Sequence, residues 1–176
     1  WSSDVCSSDL IIWRGAPTGK NERINFCKKY YNNYNNYNIG LSCVFKHHSN
    51  LEYLLKPEMT IEQMREYKYI VSIEGNDKDS GINWKLASNS VVIMKKPTIE
   101  SWLMESKLIP YVHYVPLNEN MDNLDEVYEW CLNNEDKCIE IIKNATEFMN
   151  NFRNMEIENK LIQQINHDYR SEEHTS

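Results

Sequence analysis

The sequence predicts an α/β domain, a parallel β-sheet covered by helices on both faces and ending in a helical C-terminal segment. Three observations carry this. Short apolar runs rich in β-branched residues alternate with stretches whose apolar residues recur at helical spacing. The central run "YIVSI" (69–73) is apolar almost without interruption, as a strand buried on both faces requires. Beyond Leu117 the strand pattern ends and three helical stretches follow.

Each element has its own signal. "LIIW" reads as a strand ending at Trp13, and "NERINFCKKYY" then places Ile24, Cys27 and Tyr31 on one helical face. "IGLSCVF" is a second strand. Thr60 and Gln63 stand in capping-box positions, so a helix opens in "TIEQMREYK". "YIVSI" is the third strand, "INWKLAS" a short helix and "SVVIM" the fourth strand. "IESWLMES" reads as helical and "VHYVPL" as a fifth strand. "NLDEVYEWCLNN", "DKCIEIIKNATEFMNNF" and "EIENKLIQQINHDY" close the chain as helices. Crossovers of this length make the sheet parallel and the fold Rossmann-like. In such sheets ligands bind at the carboxyl ends of the strands. Arg14-Gly15, Glu74-Gly75 and the residues after Leu117 therefore share one rim.

Two end segments are set aside. "WSSDVCSSDL" and "RSEEHTS" resemble translations of one short sequencing adapter, read from its two strands. Residues 1–10 and 170–176 are thus expected to be adapter-derived, leaving 11–169 as a partial domain from a longer gene. The formal net charge is −7, of which Asp4, Asp9, Glu172 and Glu173 against Arg170 contribute −3. A mildly acidic domain does not bind nucleic acid by bulk charge, and no apolar run has the roughly 20 residues needed to cross a bilayer. Cys27, Cys43, Cys131 and Cys138 form no C-x-x-C pair and fit no zinc spacing, and Cys131 and Cys138 read as core thiols. The tract "KKYYNNYNNYN" (28–38) is low in complexity and reads as a helix end running into a loop, with no chemistry assigned.

The rim carries the candidate chemistry. Arg14-Gly15-Ala16-Pro17-Thr18-Gly19 follows a strand and leads into a helix, so backbone amides and a guanidinium could seat a diphosphate; the plainer alternative is a tight turn with a surface arginine. In "EGNDKDSGINWK", Ser80 and Gly81 precede a short helix, Lys85 offers a point charge and Glu74 could accept bonds from sugar hydroxyls. The plainer alternative is a capped loop. Asp77-Lys78-Asp79 has the D-x-D form of metal-dependent transferases, or is a solvated turn. Glu105 is expected to face solvent at the end of a helix unless it has a function. His113 is expected within the fifth strand, as a hydrogen-bonded core histidine or a catalyst. His47-His48 has no third ligand in register and reads as a loop pair.

Four blocks in order, "WRGAPTG", "YKYIVSIEGNDKDSGINWKLASNSVVIM", "SWLMESKLIPYVHYVPL" and "NENMDNLDEVYEWCLNNEDKCIEIIKNATEF", resemble glycosyltransferase family 90, over about Ile11 to Phe148. The resemblance implies the C-terminal, donor-binding half of a GT-B glycosyltransferase. It implies inverting transfer of glucose or xylose from a uridine diphosphate (UDP) sugar to a glycan, lipopolysaccharide or protein hydroxyl. It implies no cofactor and no metal. The donor-binding residues it implies are Arg14, Gly15, Thr18, Glu74, Gly75, Asn76, Asp77, Ser80, Gly81, Lys85 and Glu105. Animal members carry an arginine in the loop and helix after the third strand, where this chain offers Lys85. The acidic general base belongs to the N-terminal half of the family, so this piece alone is expected to bind donor weakly and to turn over nothing. The compartment stays open, cytoplasmic in a microbial or viral setting or the secretory-pathway lumen in a eukaryotic one. Three other readings remain open: a dinucleotide-binding oxidoreductase domain, though without G-x-G-x-x-G; a metal-dependent transferase built on Asp77 and Asp79; and a non-enzymatic nucleotide-binding or interaction module.

Overall fold

A computed structural model describes residues 8–19, 21–153, 159–160 and 162–164. The elements run β1 (Ser8–Gly15), α1 (Glu22–Tyr30), β2 (Tyr37–Leu41), α2 (Ile61–Met64), β3 (Tyr67–Val71), α3 (Ile82–Leu86), β4 (Val91–Met94), β5 (Val115–Pro116), α4 (Leu124–Asn133) and α5 (Glu135–Asn150). Short 3-10 segments occupy Lys46–Leu54, Glu105–Lys107 and Asn151–Arg153. The five strands form one parallel sheet in the order β2-β1-β3-β4-β5. The chain steps outward from β1 to β2, then returns past β1 to build β3 on its other side. In open parallel sheets such a reversal is the usual place for a ligand.

Strand alternation divides the core into two layers. Ile11, Trp13, Ile39, Tyr69, Val71, Val91 and Ile93 meet α1 and α4 through Phe26, Cys27, Leu124 and Cys131. On the opposite face Val92 and Met94 meet Ile82 and Leu86 of α3 and Ala145 and Met149 of α5. A fully buried side chain of this kind contributes about 1.5–3 kcal/mol. The central strands are buried on both faces, which is why their sequences show no polar alternation. Cys27, Cys131 and Cys138 are buried free thiols, as the helical spacing of the last two suggests.

The capping box forms: Gln63 N donates to Thr60 Oγ1 (3.2 Å) and Thr60 N to Gln63 Oε1 (2.9 Å). It opens only the four-residue α2. β2 stops at Leu41, short of the expected "IGLSCVF" strand, and a 3-10 segment follows. β1 begins at Ser8, so Ser8, Asp9 and Leu10, set aside for their adapter-like spelling, lie in a strand; Asp9 pairs with Lys68 at 2.6 Å. The third C-terminal helix, expected over 156–169, falls mostly outside the described residues.

Two expectations between β4 and α4 are corrected. "IESWLMES" is not an α-helix. Met104 takes a left-handed conformation (φ 54°), and two carboxylates fold back onto nearby backbone in place of helical hydrogen bonds. Glu100 accepts from Ser106 N and Oγ, and Glu105 from Ser101 N and Oγ. "VHYVPL" contributes only Val115–Pro116 as strand. Tyr111 is left-handed (φ 59°) and turns the chain, while Pro116 has no N–H to extend the ladder. His113 therefore sits in the turn, where its Nδ1 accepts from Ile109 N at 2.9 Å.

Candidate functional site

The loops after β1 and β3 meet at the reversal point. Gly19 N donates to Asn76 Oδ1 (3.0 Å). Gly19 has φ 87°, and a Cβ there would lie 2.9 Å from the Gly75 carbonyl oxygen. A Cβ on Gly75 would in turn lie 2.8 Å from Thr18 Oγ1. Glycine at both positions lets the two backbones touch.

Arg23, in the first turn of α1, clasps these loops. Its Nε donates to the Ile73 and Glu74 carbonyls (3.2 Å each) and its Nη2 to Ile73 O (2.7 Å). Its Nη1 reaches Thr18 Oγ1 (2.8 Å) and Ala16 O (3.3 Å). The rigid guanidinium fork suits this divergent set of acceptors. Sequence reasoning missed Arg23. The available signal was its position just before Ile24, the first buried residue of α1, so that it starts the helix at the rim.

Beside the clasp, between the ends of β3 and β4, lies a small cavity of about 20 Å³. Ser72, Glu74, Lys78, Asp79, Lys95 and Glu105 form its polar wall, and Ile82, Met94, Pro97 and Ile99 complete the lining. Nearly every charge here has a partner. Asp79 accepts from Ser72 Oγ (2.6 Å) and Gly81 N (2.9 Å) and pairs closely with Lys85, whose Nζ also donates to Val71 O (3.0 Å). Burial pushes the Asp79 carboxyl up, but the Lys85 ammonium and the hydrogen bonds from Ser72 and Gly81 outweigh it and hold it below its ordinary value. Lys95 Nζ donates to Glu22 Oε1 (2.7 Å). Glu74 accepts from Thr98 N (2.7 Å), Thr98 Oγ1 (2.5 Å) and Ile99 N (3.2 Å), tying the β3 loop to the β4 loop.

Glu105 is 3% exposed, whereas a carboxylate without function is expected to face solvent there. Burial would raise its carboxyl; the Ser101 hydroxyl, backbone amides and Lys78 reverse the effect and lower it. Lys78 is the loosest charge of the wall. Its Nζ lies 3.8 Å from Glu105 Oε1 and 5.1 Å from the Trp102 ring centroid.

The structure thus sorts the expected site residues. Glu74 and Glu105 line the cavity. Thr18, Gly75 and Asn76 interlock the two loops, and Gly15 packs against the Trp13 ring. Asp77 and Ser80 are exposed on the β3 loop, while Gly81 caps α3 and binds Asp79. The D-x-D carboxylates have separate partners: Asp77 accepts from Lys78 N (2.7 Å) and Asp79 holds Lys85. Lys85 is buried because its ammonium neutralises Asp79, so it presents no charge on the surface. Arg14 does not line the cavity. Its guanidinium turns along the sheet towards β2, donating to Asn38 O (2.7 Å), Asn38 Oδ1 (2.8 Å), Trp13 O (3.0 Å) and Pro57 O (3.1 Å).

The fold and this interlocked rim define an α/β domain of the glycosyltransferase-like type, and the comparisons give its family. The profile described as "Glycosyl transferase family 90" matches residues 8–169. The chain belongs to glycosyltransferase family 90. It is similar to an O-glucosyltransferase, LpsA, of Dichelobacter nodosus, at 32% identity over 148 residues, covering 84% of this chain and 45% of that protein. Protein O-glucosyltransferase 2 of Danio rerio is 26% identical over 139 residues, covering 78% of this chain and 27% of that one. The chain therefore spans less than half the length of these curated relatives. Among solved structures, the C-terminal domain of a glycosyl transferase group 1 family protein (LpcC) from Francisella tularensis superposes with TM-score 0.53. That match is 10% identical and covers 84% of this chain and 88% of the other, a likeness of fold alone. The fold is that of a GT-B C-terminal half. Among the described residues no helix is long and apolar enough to cross a membrane.

Proposed function

We propose that this chain is the donor-binding half of an inverting glycosyltransferase that moves glucose or xylose from a UDP-sugar to a hydroxyl of a glycan, lipopolysaccharide or protein acceptor. The observation that carries the proposal is the Arg23 clasp. It locks the loops after β1 and β3 at the reversal point of the sheet, next to the cationic Lys78 and Lys95. The cavity is too small for a nucleotide, so the donor lies across the rim above it, with Lys78 leaving Glu105 to meet the diphosphate.

The bond from the anomeric carbon to the β-phosphate oxygen breaks as the acceptor oxygen attacks from the opposite face. The leaving diphosphate gains negative charge, which fixed cations and backbone amides at the rim neutralise without reorganising. A carboxylate from the N-terminal half takes the acceptor proton. Donor recognition then belongs to this half and proton removal to the other.

The test uses the full-length protein with UDP-glucose and UDP-xylose and an acceptor library, in chelator and with added divalent ions. Transfer that survives chelation and falls about 10–100-fold in kcat/KM for Lys78→Ala is expected. Titration of the present chain with UDP-glucose should give weak binding and no turnover. Transfer by this chain alone would refute the division of labour, and no transfer by the full-length protein would refute the proposal.

A further inference from the structure

The tyrosine-rich tract after α1 resolves into two classes of residue. Tyr30 and Tyr37 are buried in the core, whereas Tyr34 is 60% exposed. Tyr31 packs edge-on against Tyr34 (6.0 Å between centroids) and Tyr53 (6.5 Å), and Tyr53 is 58% exposed. An aromatic surface thus wraps the β2 edge of the sheet.

Lys56 lies in its middle. Its Nζ is 5.3 Å from the Tyr31 ring centroid and 5.1 Å from that of Tyr34. Gly40 of β2 makes room for the lysine stem, since a Cβ there would come 2.7 Å from Lys56 Cγ. Arg14 pairs with Gly40 in the sheet register and projects on the same side as Lys56, and both cations donate to Asn38 Oδ1, at 2.8 and 3.4 Å. Among the described residues no carboxylate lies within ion-pair distance of either one. In a chain of net charge −7, these two adjacent cations have neutral acceptors but, among the described residues, no counter-ion. Burial and then the Arg14 charge hold the Lys56 ammonium below its ordinary range, which an incoming anion would reverse.

We propose that the Tyr34–Tyr53–Lys56 surface binds the acidic sugar chain of the acceptor. The C–H faces of its pyranose rings would pack on the tyrosines, and a carboxylate or phosphate substituent would meet Lys56 beside Arg14. The sugar chemistry follows from the aromatic faces and the anionic character from the unpaired cations; that the glycan is the acceptor rests on the transferase proposal above.

The test titrates the chain with oligogalacturonate, with a neutral malto-oligosaccharide of equal length and with phosphatidylglycerol vesicles. Oligogalacturonate should bind at least tenfold more tightly than the neutral sugar. Lys56→Gln, which keeps the stem over Gly40, and the exposed pair Tyr34→Ala/Tyr53→Ala should each weaken it at least tenfold. Affinity within twofold of wild type in both variants overturns the proposal, as does equal binding of the neutral sugar or tighter binding to the vesicles. In the full-length enzyme, Lys56→Gln should raise KM for an acidic acceptor and leave KM for the donor unchanged. Wild-type protein that binds oligogalacturonate but transfers nothing sinks the transferase proposal and upholds this surface. Normal transfer with an unchanged acceptor KM sinks this surface alone.

Discussion

The rim beside β3 and β4 and the edge beside β2 handle charge in opposite ways. At the rim Asp79 holds Lys85, Glu22 holds Lys95 and Glu105 faces Lys78, and Asp79, Lys85 and Glu105 also bind backbone groups. At the edge, among the described residues, Arg14 meets only neutral oxygens and Lys56 a neutral oxygen and tyrosine rings. An internally paired cluster holds its loops in one geometry before any ligand arrives, which suits a site that must place a reacting bond. An unpaired cationic surface is set for something that arrives from outside. If the contrast holds, rim substitutions will damage the fold first, and edge substitutions will spare it.

The largest effect is expected for Asp79→Ala, which leaves the Lys85 ammonium buried without its counter-ion. Urea unfolding should show a loss of about 3–5 kcal/mol, and a loss below 1 kcal/mol would mean that the pair is open to water. Arg23→Ala comes next. It orphans the Ile73 and Glu74 carbonyls, a cost of about 2 kcal/mol, and should weaken UDP-glucose binding too. Arg23→Lys should restore little of either, because a point charge cannot reach acceptors on both loops.

Acid should separate the two regions next. Asp79 and Glu105 have folded-state values below their unfolded ones. Their contribution is fully present above the unfolded values near about pH 4 and is lost as pH falls through the folded values. The rim should therefore loosen below about pH 4, and Glu105→Gln should flatten that part of the stability profile. An unchanged profile in the variant would remove Glu105 from the balance. The smallest effect is expected at the edge: Tyr34→Ala should change stability by no more than about 0.5 kcal/mol, and a larger loss would make that tyrosine part of the core.

Much of the fold was legible in the residues. The runs "YIVSI" and "SVVIM" are apolar without alternation because β3 and β4 are buried on both faces, and Thr60 and Gln63 close the capping box that their spacing announces. The misses lie where side chains replace backbone partners. Glu100 and Glu105 dissolve the expected helix by binding Ser106 and Ser101, and Tyr111 turns the expected fifth strand before it starts.

Taken alone, the sequence settled the parallel sheet, the rim on which its loops gather and the family, because periodicity and ordered blocks are properties of neighbours along the chain. Tertiary structure decided which cation serves which site. Arg14 finds Asn38 across 24 positions, and Arg23 finds Ile73 across 50. A guanidinium or an ammonium goes where packing leaves carbonyls and carboxylates unsatisfied, and those acceptors come into reach only once the strands have assembled.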